Sequence, residues 1–364
     1  MAVLLGGVSL AAIIDGLNDD DDNDATDLPD DDSKQEVAGT DGDDTLVAEG
    51  NDTGDWDFFT GSADEVAGLE NSTTGDAYFL GGDDTFDPVD GGAAVDTLPG
   101  LTEVDAGAGD DSITVSGYDV LVYDSEGNDT VDASGLESGA IQAGFGDHII
   151  GSDTADAPIW VTGSGYTFEG GRAAEYVFAG DGDISGGGGN DTLIASGTAE
   201  LIGGDGDDYL RGNYDEDSDN QTATDIWEYH TNAGPNALKG GAGNDRIDFD
   251  TEDWVTGGAG ADTLTGYVAP SPDEATSITD FNPAEDNLTI WVEDGASDVT
   301  LEVENGSTVL MQGHQVLAVI HGQSNLTLGY QLDGPDGDVV DANGAPIDAK
   351  DVDFIVGNYI PVSS

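Results

Sequence analysis

The chain of 364 residues carries 78 Asp+Glu against 6 Lys+Arg, a formal net charge of −72 at pH 7. A charge this one-sided excludes nucleic acid and anionic membrane surfaces as partners, because phosphate recognition needs Lys and Arg. It also works against the chain's own compact state, so divalent cations, a high-salt medium or disorder must accommodate it.

The first segment, MAVLLGGVSLAAII, is apolar but lacks a positively charged start and a clear cleavage site, and it is too short to span a bilayer. It reads as a weak export signal. NDDDDNDATDLPDDD, from Asn18 to Asp32, packs like charges together and is expected to be extended and disordered. Residues 1–36 are therefore expected to form an apolar start and an acidic linker. Beyond them, hydrophobic residues at 37% of the chain and five Trp exceed what a disordered acidic chain carries. The absence of Cys excludes disulfides and thiolate metal sites.

Over residues 37–270 the glycines recur at fixed offsets from Asp, in the pattern Gly-Gly-x-Gly-x-Asp-x-U-x, with U a large apolar residue. Full copies are Gly186–Ile194 (GGGGNDTLI), Gly203–Arg211 (GGDGDDYLR), Gly240–Asp248 (GGAGNDRID) and Gly257–Thr265 (GGAGADTLT). Near copies are Gly39–Val47, Ala106–Thr114 and Gly91–Pro99, and more degenerate ones fall at Tyr78–Phe86, Asp124–Asp132 and Ala143–Gly151. Asp191 and Asp208 are 17 residues apart, as are Asp245 and Asp262; Asp111 and Asp129 are 18 apart, and Asp208 and Asp245 are 37 apart. Such a period predicts two nonapeptides per coil of a solenoid, with equivalent loops stacked one coil apart. Stretches such as Ala195–Ile202 (ASGTAELI) would form the opposite half-turn without a complete loop, leaving most of any metal on one side.

Two aromatic-rich segments interrupt the repeat: Pro158–Asp183, with Trp160, Tyr166, Phe168, Tyr176 and Phe178, and Asn213–Leu238, with Trp227 and Tyr229. They are expected to be larger loops or longer strands, with their rings as anchors or as a carbohydrate platform. From Ser277 the chain alternates apolar and polar residues (ITDFNPAEDNLTIWV, VTLEV, STVLMQ, QVLAVIHG). Residues 271–330 are thus expected to form an antiparallel β cap, which a solenoid needs to cover its last coil. Residues 331–364 are left as a C-terminal tail.

The repeat suits calcium. Ca²⁺ takes six to eight oxygens and mixes carboxylates with backbone carbonyls. Glycines let the backbone turn through φ > 0, the sixth-position Asp supplies a carboxylate, and the eighth-position apolar residue starts a strand and faces the core. One loop offers half a site, so an ion between neighbouring loops would join two coils.

These copies resemble the repeats-in-toxin family, the haemolysin-type calcium-binding nonapeptides that also form the C-terminal part of serralysin-like proteases. The resemblance covers Gly39 to Thr265 and is closest from Gly186 to Thr265. It implies an all-β parallel β-roll with Ca²⁺ between successive loops, a type I secretion apparatus as export partner, and folding on meeting calcium outside the cell. On that resemblance Asp191 and Asp208 would ligate ions between the loops starting at Gly186 and Gly203, and Asp245 and Asp262 between those starting at Gly240 and Gly257. Asp111 and Asp129 would form a third pair, and Asp44 and Asp96 are further candidates. Carbonyls of Gly186, Gly188, Gly203, Gly204, Gly206, Gly240, Gly241, Gly243, Gly257, Gly258 and Gly260 would complete the shells. ITDFNPAED is similar to the segment after the last repeat in that family, and Asp353-Phe354-Ile355-Val356 is similar to the ending of type I secretion substrates, although eight residues come after it. His148 in Ala143–Gly151 and Glu175 in GGRAAEYVF stand where the repeat expects Asp, so the first half is expected to bind fewer ions.

No His-Glu-x-x-His, no Gly-x-Ser-x-Gly and no Cys nucleophile is present among residues that include only His148, His230, His314 and His321 as histidines. The expectation is a secreted, non-enzymatic calcium-binding protein with a structural, adhesive or matrix role, bound to cell-surface polysaccharide or to itself. The alternative is a calcium-dependent lyase or epimerase acting on polysaccharide, for which Arg172, Arg211, Lys239 and Arg246 are the only central cations.

Overall fold

In the computed structural model the described residues are seven strands between Gln35 and Asp105 and residues 110–358, apart from 111, 118–119, 124–126, 155–158, 213–234, 270–274, 293–295 and 332–337. Residues 1–34, Asp44, Asp96, Asp111, Trp227, Tyr229 and His230 therefore lie outside the described residues. The fold is all-β, built from long, mostly parallel sheets that do not close as a barrel. Among the described residues no helix is long and apolar enough to cross a membrane.

Two compact units divide between Asp183 and Ile184. In the first, one sheet runs Gln35–Ala38, Gly75–Tyr78, Leu101–Asp105, Val120–Tyr123, Gly139–Ala143, Ile159–Gly163 and Glu175–Ala179, every neighbour parallel. The other runs Thr45–Gly50, Thr85–Phe86, Ser112–Gly117, Thr130–Leu136, His148–Ile150 and Tyr166–Glu169, also parallel. Trp56–Thr60 and Ala67–Ser72 add to its edge antiparallel. From Leu101 onward successive strands alternate between the two sheets, so each coil gives one strand to each. The register puts Ile113, Val131, Ile149 and Phe168 in one internal stack and Val122, Ile141, Val161 and Val177 in another, none more than 1% exposed.

The second unit repeats this winding. Thr192–Ala195, Tyr209–Arg211, Arg246–Asp250, Thr263–Tyr267 and Asn287–Val292 form one parallel series. Ala199–Asp205, Ala237–Ala242, Trp254–Ala259, Thr276–Ile278 and Gln315–Ile320 form the other. The eighth-position residues Leu193, Leu210, Ile247 and Leu264 fall in register and are buried with Leu288, as are Leu201, Leu238, Val255, Ile278 and Ile320 opposite. Each buried Leu or Ile in these stacks contributes roughly 1.5–3 kcal/mol by removal from water.

The end of the second unit departs from the expected cap and tail. Val299–Glu304, Ser307–Gln312 and Gln315–Ile320 are antiparallel to one another, as the alternation predicts. The other sheet continues in parallel: Phe354–Asn358 pairs with Asn287–Val292 and with Leu328–Gln331, and only Val339–Val340 is antiparallel there. The segment read as a tail thus supplies an inner strand, with Phe354 and Val356 buried. Its alternation is short, but Val356 lies opposite Ile290 and continues the core. The Tyr330 hydroxyl, donating to the Val299 carbonyl at 3.0 Å, ties one half of the cap to the other. The compact division does not fall near residue 270, because Thr276–Ile278 and Asn287–Val292 stay in register with the coil before them.

Candidate metal centre

The four complete Gly-Asp loops stack directly in the second unit. Gly187 and Gly189, Gly204 and Gly206, Gly241 and Gly243, and Gly258 and Gly260 all have φ between 88° and 148°. The reason for glycine is close approach as well as φ. A Cβ on Gly206 would lie 1.4 Å from the Gly189 carbonyl oxygen, and one on Gly243 would lie 1.8 Å from that of Gly206. By position Gly188 matches Asp205, Ala242 and Ala259 and is in ordinary strand geometry, while Gly187 and Gly189 are the equivalents of Gly204 and Gly206. Four consecutive glycines hide that register in the sequence.

The sixth-position aspartates are held in one ladder. The backbone N–H of Asp191 donates to Asp208 Oδ1 (2.8 Å), that of Asp208 to Asp245 Oδ1 (2.9 Å), and that of Asp245 to Asp262 Oδ1 (3.0 Å). The expected pairs 191/208 and 245/262 are therefore parts of one series, and the 37-residue interval between Asp208 and Asp245 does not break it. The chain's next segment completes it: Asp262 N–H donates to Asp286 Oδ1 at 3.1 Å, and Asp280 accepts from the N–H groups of Gly257 and Gly258, both at 2.9 Å. Asp280 and Asp286 were not among the expected site residues. Their signal is the acidic spacing in ITDFNPAED directly after the last full loop.

Oδ1 is thus committed to the backbone, while Oδ2 faces inward. The Oδ2 atoms of Asp208, Asp245 and Asp262 are buried without a hydrogen-bond donor. Each folds over the first glycine of its own loop. A Cβ built on Gly203 would meet Asp208 Oδ2 at 2.3 Å and the Gly240 carbonyl oxygen at 2.5 Å; on Gly240 it would meet Asp245 Oδ2 at 2.3 Å and the Gly257 carbonyl at 2.4 Å. A carboxylate oxygen and a carbonyl oxygen from the next coil therefore converge where no proton donor stands between them. Burial pushes the Asp208 carboxyl up to about 7 and Asp245 up to about 6, hydrogen bonds from the backbone opposing and neighbouring carboxylates reinforcing the rise. Asp262 is raised for the same leading reason. The position-five side chains form a second, exposed row: Asn190 Oδ1 accepts from Asp207 N–H, Asp207 Oδ1 from Asn244 N–H and Asn244 Oδ1 from Ala261 N–H.

In the first unit Asp129 obeys the same rule: its N–H donates to Asp147 Oδ1 at 3.1 Å, and both are buried. The ladder residue of the degenerate copy is therefore Asp147, and the expectation that His148 replaces it is corrected. The loop is one residue shorter than the repeat, so a fixed nonapeptide frame lands on the first residue of the next strand. His148 is that residue, 3.5 Å from Glu169. Glu175 is buried at the start of Glu175–Ala179, with its Oε1 accepting from Gly171 N–H.

The half-turns opposite the ladder in the second unit are not featureless either. Ala199 N–H donates to Asn236 Oδ1 (2.8 Å), and Asn236 N–H donates to Asp253 Oδ1 (2.7 Å). Asp253 Oδ2 accepts from Asp250 N–H, and burial pushes its carboxyl up to about 6. Nothing in the repeat frame marks Asn236 or Asp253. In the first unit Trp160 and Tyr176 stack across neighbouring strands with ring centroids 4.1 Å apart, and Tyr166 and Phe168 are core.

The donor set is all oxygen: buried carboxylates and glycine carbonyls with no cation side chain among them, which fits a hard divalent ion. Among the described residues no three His, Cys, Asp or Glu side chains gather as a metal cluster, so the candidate sites draw on the backbone of two coils as much as on carboxylates. No family model and no curated protein matches this chain.

Proposed function

We propose that this is a secreted calcium-binding β-roll, in which Ca²⁺ held between successive Gly-Asp loops drives folding and gives a rigid structural, adhesive or matrix element outside the cell. The observation that carries this reading is the row of buried Oδ2 atoms on Asp208, Asp245 and Asp262, each without a donor, the first two beside a carbonyl of the next coil. Leaving a buried charged group unpaired costs several kcal/mol, so three in series call for cations. Asp191, Asp208, Asp245 and Asp262 would hold the ions with the carbonyls of Gly186, Gly203, Gly240 and Gly257. Calcium supplies positive charge and oxygen coordination there; the chain's own residues do no bond-making chemistry. The resemblance to repeats-in-toxin proteins supports the same ion and a type I export route.

Calcium that binds only the folded coils stabilises them by mass action. Far-ultraviolet circular dichroism of the full chain should show a β spectrum in millimolar calcium and loss of it after chelation. Calorimetry should count at least two fewer ions in Asp208→Ala/Asp262→Ala than in the parent. Identical folded spectra with and without calcium would refute the reading.

A further inference from the structure

We propose that the outer sheet face around Trp254 is a docking platform for a neutral polysaccharide. Side chains alternate across a strand, and along Trp254–Ala259 it is Val255 that enters the core while Trp254 stands outward, 50% exposed. Its neighbours in register are small: Ala237 on one side and Ser277 on the other, so the ring is not covered by either. Trp contributes nothing to the internal stacks from this position, and an indole left half in water is an affinity resource rather than a folding one.

What surrounds the ring decides the occupant. Thr256 and Thr279, on the same face, have their hydroxyls 2.8 Å apart, and the Ser277 hydroxyl lies 2.9 Å from His321 Nε2. These are short groups that both donate and accept, spaced by a rung repeat of about 4.8 Å, close to the length of one pyranose unit. The nearby charges are mostly negative: Lys239 is ion-paired with Glu200 across adjoining strands, while Glu252 stands two residues before Trp254 and the Asp280 carboxylate accepts from the Gly257 and Gly258 N–H groups of the same strand. The face therefore shares the sign of the chain's net charge of −72. A polyuronate or a sulfated glycan meets the repulsion of the whole molecule, as does a second copy of the same chain. A neutral glycan does not, and the apolar C–H face of its rings matches the indole. The proposal rests on the sheet face and stands apart from the calcium reading.

Isothermal titration with the full chain in calcium tests it, using cellohexaose, xylohexaose and mannohexaose as probes and polygalacturonate as the anionic control. At least one hexaose should bind, and Trp254→Ala should weaken it by about tenfold or more, with an unchanged circular dichroism spectrum. Trp254→Tyr, which keeps a flat ring, should stay within about threefold of the parent. No binding of any of the three at millimolar concentration overturns the proposal. So does equal binding by Trp254→Ala, or tighter binding of polygalacturonate.

Discussion

At the scale of single residues, the informative atoms are the Oδ2 oxygens of the ladder. Asp208 and Asp245 have carboxyls pushed up to about 7 and about 6, first of all by burial, against about 3.9 in an unfolded chain. A carboxyl raised on folding favours the protonated folded state. Its stabilising share is complete below the unfolded value near 4 and is lost as the pH rises through 6 to 7. Without calcium, the β signal that is lost at pH 8 should therefore return in part at pH 5; with calcium, the ion replaces the proton and the preference should disappear or reverse. Asp208→Asn should keep more β signal than the parent at pH 8 in chelator and gain less from added calcium. A chelated parent whose β signal is the same at pH 5 and at pH 8 would show that these carboxyls are not the controlling groups. The sixth-position Asp residues of the full copies were legible in the sequence because each is fixed by glycines on a rigid frame. Asp147 was not, because deleting one loop residue moves the frame without moving the ladder. Asn236 and Asp253 were not, because their hydrogen bonds join residues 37 and 17 apart on a half-turn that has no repeating glycine.

At the scale of elements, the stack of Leu193, Leu210, Ile247 and Leu264 follows from the eighth-position residues and was readable by period alone, whereas the opposite stack of Leu201, Leu238 and Val255 lies outside the nonapeptide frame. The way the ladder stops was only half readable. Residues 279–286 replace a loop by two side chains: Asp280 takes the N–H groups of Gly257 and Gly258, and Asp286 takes those of Asp262 and Asn282. Removing Asp286 leaves the buried end of the ladder without its acceptor, at a cost of about 1–3 kcal/mol. Glu285, one residue away, is exposed, and its carboxylate accepts from the Asn282 side chain, so its removal should stay within about 0.5 kcal/mol. Chemical denaturation in saturating calcium of Asp286→Ala and Glu285→Ala separates the two, and equal midpoints would mean that this segment is a linker and not a terminator. The inner strand Phe354–Asn358 escaped the sequence pattern for a different reason. A five-residue strand near the end of a chain carries too few alternations to be distinguished from a tail, and only its pairing with Asn287–Val292 makes it core.

At the scale of the whole molecule, calcium cannot account for the charge. Four ions in the gaps of the five-carboxylate ladder of the second unit would bring about eight positive charges against a net −72, so most of the repulsion remains after that ladder is filled. Attractive pairs are few, with 6 Lys+Arg in the chain: among the described residues Lys239–Glu200 and Lys350–Asp348 are surface contacts, worth about 0–1 kcal/mol each, and Arg246 pairs with the buried carboxylate of Asp248. Salt therefore has little attraction to weaken and much repulsion to screen. Raising the ionic strength from 0.15 M to 1 M shortens the Debye length from about 8 Å to about 3 Å, less than the rung spacing of about 4.8 Å that separates equivalent acids on neighbouring coils. In saturating calcium the melting temperature should then climb with sodium chloride well past the concentration at which ordinary surface ion pairs are screened. The rise should be seen equally with potassium chloride, because screening does not distinguish the two ions. A melting point that is unchanged between about 0.15 M and about 2 M salt would place the carboxylates too far apart to repel, and a rise with one cation alone would point to specific binding instead of screening.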